Sequence, residues 1–329
     1  MVLPIWQHMP RFDINISPYF WLAYSSQNAA VKALKDLPDD PKADQQIARD
    51  LQWVIQKIEE EIKEDKEVKE DKERGVNQPA SSQPVYTFYD LGCLDGRRSN
   101  RIVAGFKDAK AKEPRVNIGR ILLVDKSQVM VEKALERTYP VPVQGLCQLV
   151  EHLDLSKTGR PNEPKILFLG GNTINNGRNP HAMLGVLHDV MEAGDVAAIE
   201  FKFLSQFKGY PRDKPRDFVV EYLRWLGFTK SHTEENRRST ICAKNHFRRE
   251  YVVTLSKPFD IPSNHPLQQH HPSFKSGQTL PKGTTILIGY NQPWHEFWWG
   301  YDFSRIGLQG RLITPLNNDD CILYLTRKD

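Results

Sequence analysis

Apolar runs alternate with segments of helical periodicity through the middle of the chain. Four runs are typical of buried strands: VYTFYDLG (85–92), RILLVD (120–125), KILFLGG (165–171) and DVAAIEFKFL (195–204). Helical stretches, such as SQVMVEKALERTY (127–139) and NPHAMLGVLHDVMEA (179–193), separate them. Continuous apolar strands that alternate with helices indicate a parallel sheet covered on both faces. The pattern therefore predicts an α/β fold built on a doubly wound, Rossmann-like sheet.

The flanking regions depart from this alternation. In residues 43–74 apolar positions recur every three or four residues, which predicts a helix, and a Gly/Pro/Ser-rich linker follows at 75–84. A helical stretch at 217–228 is followed by strand-like segments without long helices between them, which indicates an antiparallel element. An aromatic helix at 293–308 and a strand at 321–326 complete the predicted elements.

These changes of pattern predict four parts of the chain. Residues 1–84 form an N-terminal helical segment, with its charged helix and linker, that packs on a substrate-binding element. Residues 85–204 form the Rossmann-like domain, and residues 205–290 form the substrate-binding element as an α+β insertion. Residues 291–329 supply a C-terminal helix and strand that complete the Rossmann-like domain.

Composition excludes several classes of protein. A chain that is 39% hydrophobic and 10% aromatic is not disordered. No apolar run approaches the roughly 20 residues of a membrane-spanning helix. The four cysteines form no CxxC pair, and the histidines at 265, 270 and 271 have no carboxylate or cysteine at ligand spacing, so no metal site is predicted. We expect a cytoplasmic protein with no membrane partner.

Charge is unevenly distributed along the chain. The 45 Lys and Arg against 41 Asp and Glu give a net charge of +4, yet residues 59–74 alone contain nine acids and five bases. The remainder is therefore mildly basic, with the excess concentrated in 205–250. Such a field favours a small, carboxylate-bearing substrate, while a nucleic-acid partner is not favoured. The oligomeric state is left open.

The most informative local pattern follows the first strand. YDLGCLDGRRS (89–99) places Asp90, Gly92 and Gly96 in a turn that leads into a helix. Glycine lets the backbone approach a ligand closely, and a helix N-terminus offers unpaired N–H groups. Asp125 ends the next strand, in ILLVDKS, where it can accept both ribose hydroxyls of an adenosine-containing ligand.

The segment DLGCLDGRRS resembles the first motif of class I S-adenosylmethionine-dependent methyltransferases, whose acid-x-G-x-G-x-G pattern holds the methionine part of the cofactor. FLGGNTINNG (168–177) is similar to the FLG signature of the histidine-specific methyltransferases of ergothioneine synthesis. The resemblance covers about residues 85–329. It implies S-adenosyl-L-methionine as the cofactor, released as S-adenosyl-L-homocysteine. The cofactor-binding residues that it implies are Asp90, Gly92, Leu94, Gly96, Asp125, Lys126, Gln148, Gly170 and Asn172.

This sequence departs from the family pattern at three places. Leu94 stands where the first motif has its middle glycine. Gln148 is the polar residue nearest the expected position of the adenine-binding acid. Gly289 and Asn291 stand where the family has the glutamate and serine that read an imidazole, and we retain Asn291 as a substrate-binding candidate.

Five further residues are candidates for the acceptor side of the reaction. By resemblance, Asn176 holds the carboxylate and amine of an amino-acid-like substrate; a loop-capping asparagine is the alternative. Glu200, at the end of the fourth strand, is a candidate base or a structural ion-pair partner. Tyr19 and Tyr24 are candidates for a tyrosine that partners Asn176, and Trp294 opens an aromatic stripe able to bind an indole or a methylated ammonium. Core packing is the alternative for all three aromatic residues.

These features together predict an S-adenosylmethionine-dependent N-methyltransferase that acts on an amino acid or a small amino-acid-derived molecule. Methyl transfer requires alignment of the acceptor lone pair with the methyl group and needs no metal. Three alternatives stay open. They are a catalytically degenerate methyltransferase-like binding protein, a protein or nucleic-acid methyltransferase, and a nicotinamide-dependent oxidoreductase.

Overall fold

The chain folds into two compact units. The structure, a computed structural model, describes residues 13–16, 40–70, 84–106, 116–155, 163–171, 173–176, 180–201, 222–228, 233–243, 246–291, 305–316 and 320–327. The large-sheet unit comprises Asp39–Phe201 and Trp299–Asp329. The small-sheet unit comprises Met1–Pro38 and Lys202–Trp298.

The described helices and strands follow one another in a mixed α/β order. They are β1 (Ile14–Asn15), α1 (Pro41–Glu70), β2 (Val85–Leu91), α2 (Arg97–Gly105), β3 (Asn117–Asp125), α3 (Gln128–Leu135), β4 (Val143–Cys147), β5 (Lys165–Leu169), α4 (Thr173–Asn176), α5 (Pro180–Val190), β6 (Val196–Phe201), β7 (Thr233–Ala243), β8 (His246–Leu255), β9 (Phe259–Asp260), β10 (Thr279–Leu280), β11 (Thr285–Asn291), β12 (Leu308–Pro315) and β13 (Cys321–Arg327).

The large-sheet unit is a seven-stranded sheet in the order β12-β13-β6-β5-β2-β3-β4. The five strands from β6 to β4 are parallel, whereas β13 runs antiparallel to both β6 and β12. The parallel part has the third-second-first-fourth-fifth order of a doubly wound fold, with its reversal between β2 and β5. This topology confirms the predicted Rossmann-like α/β fold. In such folds the ligand crevice lies at the carboxyl ends of the strands beside the reversal, here β2 and β5.

Burial explains why these strands could be recognised from the sequence. Every residue of β5 and β6 is buried, and Val85 is the one exposed residue of β2. Phe88 and Phe168 lie on neighbouring strands with ring centroids 6.0 Å apart. Side chains of this kind each contribute roughly 1.5–3 kcal/mol when fully buried. Strands covered on both faces carry continuous apolar runs, which was the pattern that predicted them.

Helix α1 belongs to the large-sheet unit. Its apolar stripe, which includes Ile47, Leu51 and Ile55, is buried in the core of that unit, and α1 packs on α2. The sequence prediction instead packed residues 1–84 on the substrate-binding element, so the position of α1 corrects that prediction for 41–70. The physical reason is that a parallel sheet needs helices on both faces, and α1 supplies part of that cover.

The small-sheet unit is built on a four-stranded sheet in the order β1-β11-β8-β7. Strands β7, β8 and β11 pair antiparallel, while β1 pairs parallel with β11. The antiparallel pairing agrees with the pattern seen in the sequence after residue 228. The proposed role of this region in substrate binding stays a prediction.

His265 is a fully bonded core residue of the small-sheet unit. It is 3% exposed, its Nδ1 accepts a hydrogen bond from the Leu267 N–H at 3.2 Å, and its Nε2 lies 3.0 Å from the carbonyl of Leu226. The Phe274 ring stacks on the imidazole at 4.6 Å. Burial lowers the pKa of His265. The geometry fits a neutral imidazole that donates from Nε2.

Two edge strands, β4 and β12, were not predicted. Apart from the buried Leu308, the residues of β4 and β12 alternate irregularly between exposed and half-buried positions, so their sequences lack the apolar runs of the central strands. Most of the predicted aromatic helix at 293–308 lies outside the described residues, and β12 already begins at Leu308. Among the helices that the structure describes, none combines the length and apolar character needed to cross a membrane.

Candidate cofactor-binding site

A tight turn joins β2 to α2 at the crevice. Gly92 has φ 92°, Leu94 has φ 51° and Gly96 has φ 69°, all in the left-handed region. The N–H groups of Gly92 and Cys93 donate to the carbonyl of Val124, at 2.7 and 3.0 Å, so the turn crosses the end of β3. A Cβ on Gly92 would lie 2.7 Å from Thr173 Oγ1, because the start of α4 packs directly on the turn.

Leu94 holds an uncommon backbone conformation. Among the described residues it is the one non-glycine residue with positive φ. For a residue with a Cβ this conformation costs roughly 1–2 kcal/mol. Its N–H donates to Asp125 Oδ2 at 3.1 Å, which stabilises the conformation. The backbone therefore follows the course that the middle glycine of the motif would take, although the side chain is leucine.

Asp125 is oriented by backbone N–H groups. It is 7% exposed, and while Oδ2 accepts from Leu94, Oδ1 accepts from the N–H of Ser127 at 2.9 Å. Burial raises the pKa of Asp125, and the hydrogen bonds from the backbone act in the opposite direction. An ionised carboxylate has about four acceptor positions, so Asp125 can still accept from a hydroxyl donor. Lys126, the next residue, is exposed.

Asp90 is a buried acid at the end of β2. It is 2% exposed and accepts a hydrogen bond from the hydroxyl of Ser99 on α2. Burial raises its pKa to about 7, although the Ser99 hydroxyl and the charge of Arg98 oppose the shift. An acid whose pKa is moved this far, at the carboxyl end of a strand, is typical of functional sites.

Asp95 occupies the N-terminus of α2. Its Oδ1 accepts from the N–H of Arg97 at 3.3 Å, and its carboxylate forms ion pairs with Arg97 at 2.8 Å and Arg137 at 2.6 Å. Burial would raise its pKa, but the hydrogen bonds from Arg97 and Arg137 outweigh burial and hold it below the usual value. Asp95 thus occupies one backbone N–H at the start of α2, while two arginines balance its charge. The sequence prediction did not single out Asp95.

Glu200 ends β6 and is paired with Arg98. Its Oε2 accepts from the Arg98 guanidinium and from the N–H of Gly171 at 2.8 Å. Arg98 also pairs with Asp44 of α1 at 2.8 Å and lies 5.4 Å from the ring centre of Phe168. The ion pair that the sequence left as one alternative for Glu200 is present in the structure.

Gly170 and Gln148 follow β5 and β4, the two strands that flank β2 and β3 in the sheet. Gly170 directly follows β5, and a Cβ there would lie 3.4 Å from Arg98 Nη1. Gln148 follows β4, and its N–H donates to the Asp125 carbonyl at 2.9 Å. The exposed side-chain amide of Gln148 donates to the carbonyl of His152, within the same loop.

The fold brings most of the predicted cofactor residues to one edge of the large sheet. Those that the structure gathers at the carboxyl ends of the strands are Asp90, Gly92, Leu94, Gly96, Asp125, Lys126, Gln148, Gly170 and Glu200. Asn176 is placed on α4 and Asn291 on β11 by their backbones. Asn172, Tyr19, Tyr24 and Trp294 lie outside the described residues.

The strand order and this turn define a Rossmann-like unit with a candidate nucleotide site. No protein-family model matches the chain, and no curated protein matches it. One similar solved structure is an S-adenosylmethionine-dependent methyltransferase from Clostridium acetobutylicum, with a TM-score of 0.40 and 10% identity, covering 74% of this chain and 85% of that one.

Two further structures are comparably similar. The CcbJ methyltransferase from Streptomyces caelestis has a TM-score of 0.39 and 11% identity and covers 76% of this chain and 85% of its own. The sugar N-methyltransferase KedS8 from Streptoalloteichus has a TM-score of 0.39 and 10% identity, with coverages of 75% and 81%. TM-scores below 0.5 support no conclusion about the activity of this chain. None of the three is named as a histidine-specific methyltransferase, so that narrower resemblance stays a prediction.

Proposed function

We propose that this protein is an S-adenosylmethionine-dependent N-methyltransferase that acts on an amino acid or a small amino-acid-derived molecule. The observation that carries the proposal is the turn from Asp90 to Gly96. It lies at the switch point of a doubly wound sheet and is bonded to Asp125, in the position of a ribose-binding acid. This arrangement fits an adenosine-containing cofactor.

The turn after β2 offers little to a dinucleotide. A dinucleotide places its pyrophosphate on the helix N-terminus that follows a G-x-G-x-x-G turn. Here the turn has one glycine pair, Leu94 stands between the two glycines, and Asp95 Oδ1 already accepts from the Arg97 N–H at the start of α2. S-adenosylmethionine has no phosphate to place there. These features support S-adenosylmethionine over a nicotinamide dinucleotide, the cofactor of the oxidoreductase alternative.

Each residue of the turn has a proposed task in binding. S-adenosylmethionine supplies an activated methyl group when bound. The left-handed backbone at Gly92 and Gly96 allows the close approach of a ligand, and Asp125 accepts the ribose hydroxyls. Asp90 faces the amine end of the methionine part, and Gln148 and Lys126 flank the adenine.

Glu200 is the proposed acceptor of the proton that leaves the substrate amine. Its Oε2 accepts the hydrogen bonds from the Arg98 guanidinium and the Gly171 N–H. Within the described part of the chain, its Oε1 accepts no hydrogen bond. An amine must lose a proton to attack the methyl group, and a carboxylate within hydrogen-bond reach of that amine can accept it. Proton transfer of this kind typically contributes about 100- to 10,000-fold to a rate.

The substrate residues are proposed from the sequence. Asn176 would bind the carboxylate and amine of the substrate, together with Tyr19 or Tyr24. Asn291 and Trp294 would contact its side chain. The basic excess in residues 205–250 supports a carboxylate-bearing substrate.

Calorimetry with S-adenosylhomocysteine and with NADH tests the proposal. We expect micromolar binding of S-adenosylhomocysteine and no binding of NADH to the unmodified protein. Asp125→Asn should weaken binding about 10- to 100-fold, because hydrogen bonds to a charged acceptor are worth roughly 1.5–3 kcal/mol. The matched control is Asp189→Asn, which alters an acid on the surface of α5 whose side chain is 79% exposed. Absence of binding at millimolar S-adenosylhomocysteine would remove the enzyme proposal.

The left-handed Leu94 favours a second candidate, a degenerate methyltransferase-like binding protein. A branched side chain at this position restricts the approach of a cofactor to the turn. If the protein is degenerate, Leu94→Gly should bind S-adenosylhomocysteine while the unmodified protein does not. Equal binding by both proteins contradicts this candidate.

A further inference from the structure

The segment 125–139 contacts the second half of the turn between β2 and α2, from Leu94 to Gly96, whereas Val124 and Thr173 contact its first half at Gly92. Three consecutive residues of the turn each contact a different side chain of that segment. Leu94 donates its N–H to Asp125, the Asp95 carbonyl accepts from Arg137, and Gly96 lies against Tyr139. The segment that carries the proposed ribose acid therefore also determines the course of the turn.

Arg137 makes the contact that reaches the backbone of Asp95. Its Nε donates to the Asp95 carbonyl at 2.5 Å and its Nη2 to the Asp95 carboxylate at 2.6 Å, across 42 positions of the chain. Arg97 is bonded to the carboxylate of Asp95 through its side chain. A charged donor on a carbonyl is a strong, directional hydrogen bond, so Arg137 restricts rotation of the peptide that joins Asp95 to Gly96.

Tyr139 packs against Gly96 and the next peptide, which joins Gly96 to Arg97. Its hydroxyl lies 3.0 Å from the Ala134 carbonyl, to which it donates, and 3.5 Å from the Gly96 carbonyl. A Cβ on Gly96 would collide with that hydroxyl. Little room is left for the turn to relax in this direction.

We infer that Arg137 is a positioning residue for the cofactor: it holds the Asp95–Gly96 peptide so that the turn and the Asp125 carboxylate face one ligand together. The inference rests on the proposed function for its ligand. Arg137 has a side chain 37% exposed. When Arg137 is removed, the Asp95 carboxylate keeps its ion pair with Arg97, so Arg137→Ala should affect the turn more than the fold.

Two measurements on Arg137→Ala test this role. The first is amide hydrogen exchange of residues 92–97, which should speed up at least about tenfold while β2 and β5 keep their protection. The second is the affinity for S-adenosylhomocysteine by calorimetry, which should fall about tenfold, corresponding to about 1.4 kcal/mol. Arg137→Lys keeps the charge and one donor, so it should recover part of both effects.

Arg120→Ala is the matched control. Arg120 lies near the amino end of β3 in the same sheet and pairs with Glu163 at 3.1 Å, away from the turn. It should change neither measurement. Unchanged exchange and affinity in folded Arg137→Ala, or equal losses in Arg120→Ala, would overturn the inference. If Arg137→Ala does not fold, the same comparison between Arg137→Lys and Arg120→Lys decides.

The exchange measurement separates this inference from the proposed function. If the unmodified protein does not bind S-adenosylhomocysteine, the proposed function fails. Suppose that the unmodified protein binds S-adenosylhomocysteine and that Arg137→Ala exchanges faster at 92–97 with unchanged affinity. Arg137 would then order the turn without positioning the cofactor, and this result contradicts the inference. Loss of both order and affinity supports it.

Discussion

Asp90→Asn should stabilise the protein at neutral pH while it weakens cofactor binding. Asp90 is 2% exposed, and burial raises its pKa from an ordinary 3.8 to about 7. The folded state therefore binds a proton that the unfolded state releases between these two values. An asparagine has nearly the shape of the protonated acid, can still accept from Ser99, and carries no charge to bury.

The sign and size of the effect follow from the two pKa values. Because the folded pKa is the higher one, the stability that Asp90 contributes is fully present below about pH 4 and is lost as the pH rises through about 7. A shift of about three units corresponds to roughly 4 kcal/mol at about 1.4 kcal/mol per unit. Asp90→Asn should therefore exceed the unmodified protein in free energy of unfolding by up to about 4 kcal/mol near pH 8, with about 2–3 kcal/mol of that gain developing between about pH 5 and pH 8.

Urea unfolding at several pH values, followed by circular dichroism, measures this difference. The control is Asp260→Asn, at an exposed acid of β9 that accepts from the Thr279 hydroxyl, and it should reproduce the pH dependence of the unmodified protein. If Asp90→Asn is no more stable near neutral pH, or if its advantage is the same at all pH values, Asp90 is not an acid with a raised pKa. A gain in stability together with a loss of S-adenosylhomocysteine affinity would be the expected signature of a residue retained for function.

Three other perturbations have definite expected outcomes. Leu94→Gly removes roughly 1–2 kcal/mol of left-handed strain but adds backbone entropy to the unfolded chain, so the free energy of unfolding in urea should change by no more than about 1 kcal/mol. Calorimetry should show tighter binding of S-adenosylhomocysteine to this variant. Gly96→Ala places a Cβ against the Tyr139 hydroxyl at a residue with positive φ, so the melting temperature of this variant should fall. Adding Tyr139→Phe removes the hydroxyl and should restore part of the lost stability. If the double variant is no more stable than Gly96→Ala, the contact between Gly96 and Tyr139 is not the cause. His265 has a lowered pKa, so the unfolded state binds its proton first and stability of the small-sheet unit should be lost as the pH falls below about 6.5. The hydrogen-exchange protection of β8, corrected for the intrinsic exchange rate at each pH, should decrease there, and His265→Phe should reduce that pH dependence.

The sequence by itself predicted the central part of the fold. The runs that form β2, β3, β5 and β6 are apolar because both faces of these strands are covered, and local hydrophobicity reports that burial directly. It also predicted the turn after β2, since glycine spacing and an acid at a strand end are local features. Edge strands β4 and β12 were missed because partial exposure gives them no regular pattern.

Tertiary structure decided the partners within the site. The sequence offers no reason for Asp95 to pair with Arg137, 42 positions away, or for Glu200 to pair with Arg98. Charged side chains are common, and only the approach of separate segments selects which of them meet. The same holds for α1, whose apolar stripe was evident from its spacing but whose place on the large sheet depends on which face was uncovered. Periodicity along the chain therefore determined the elements, and packing between distant segments determined which acids remain to meet a ligand.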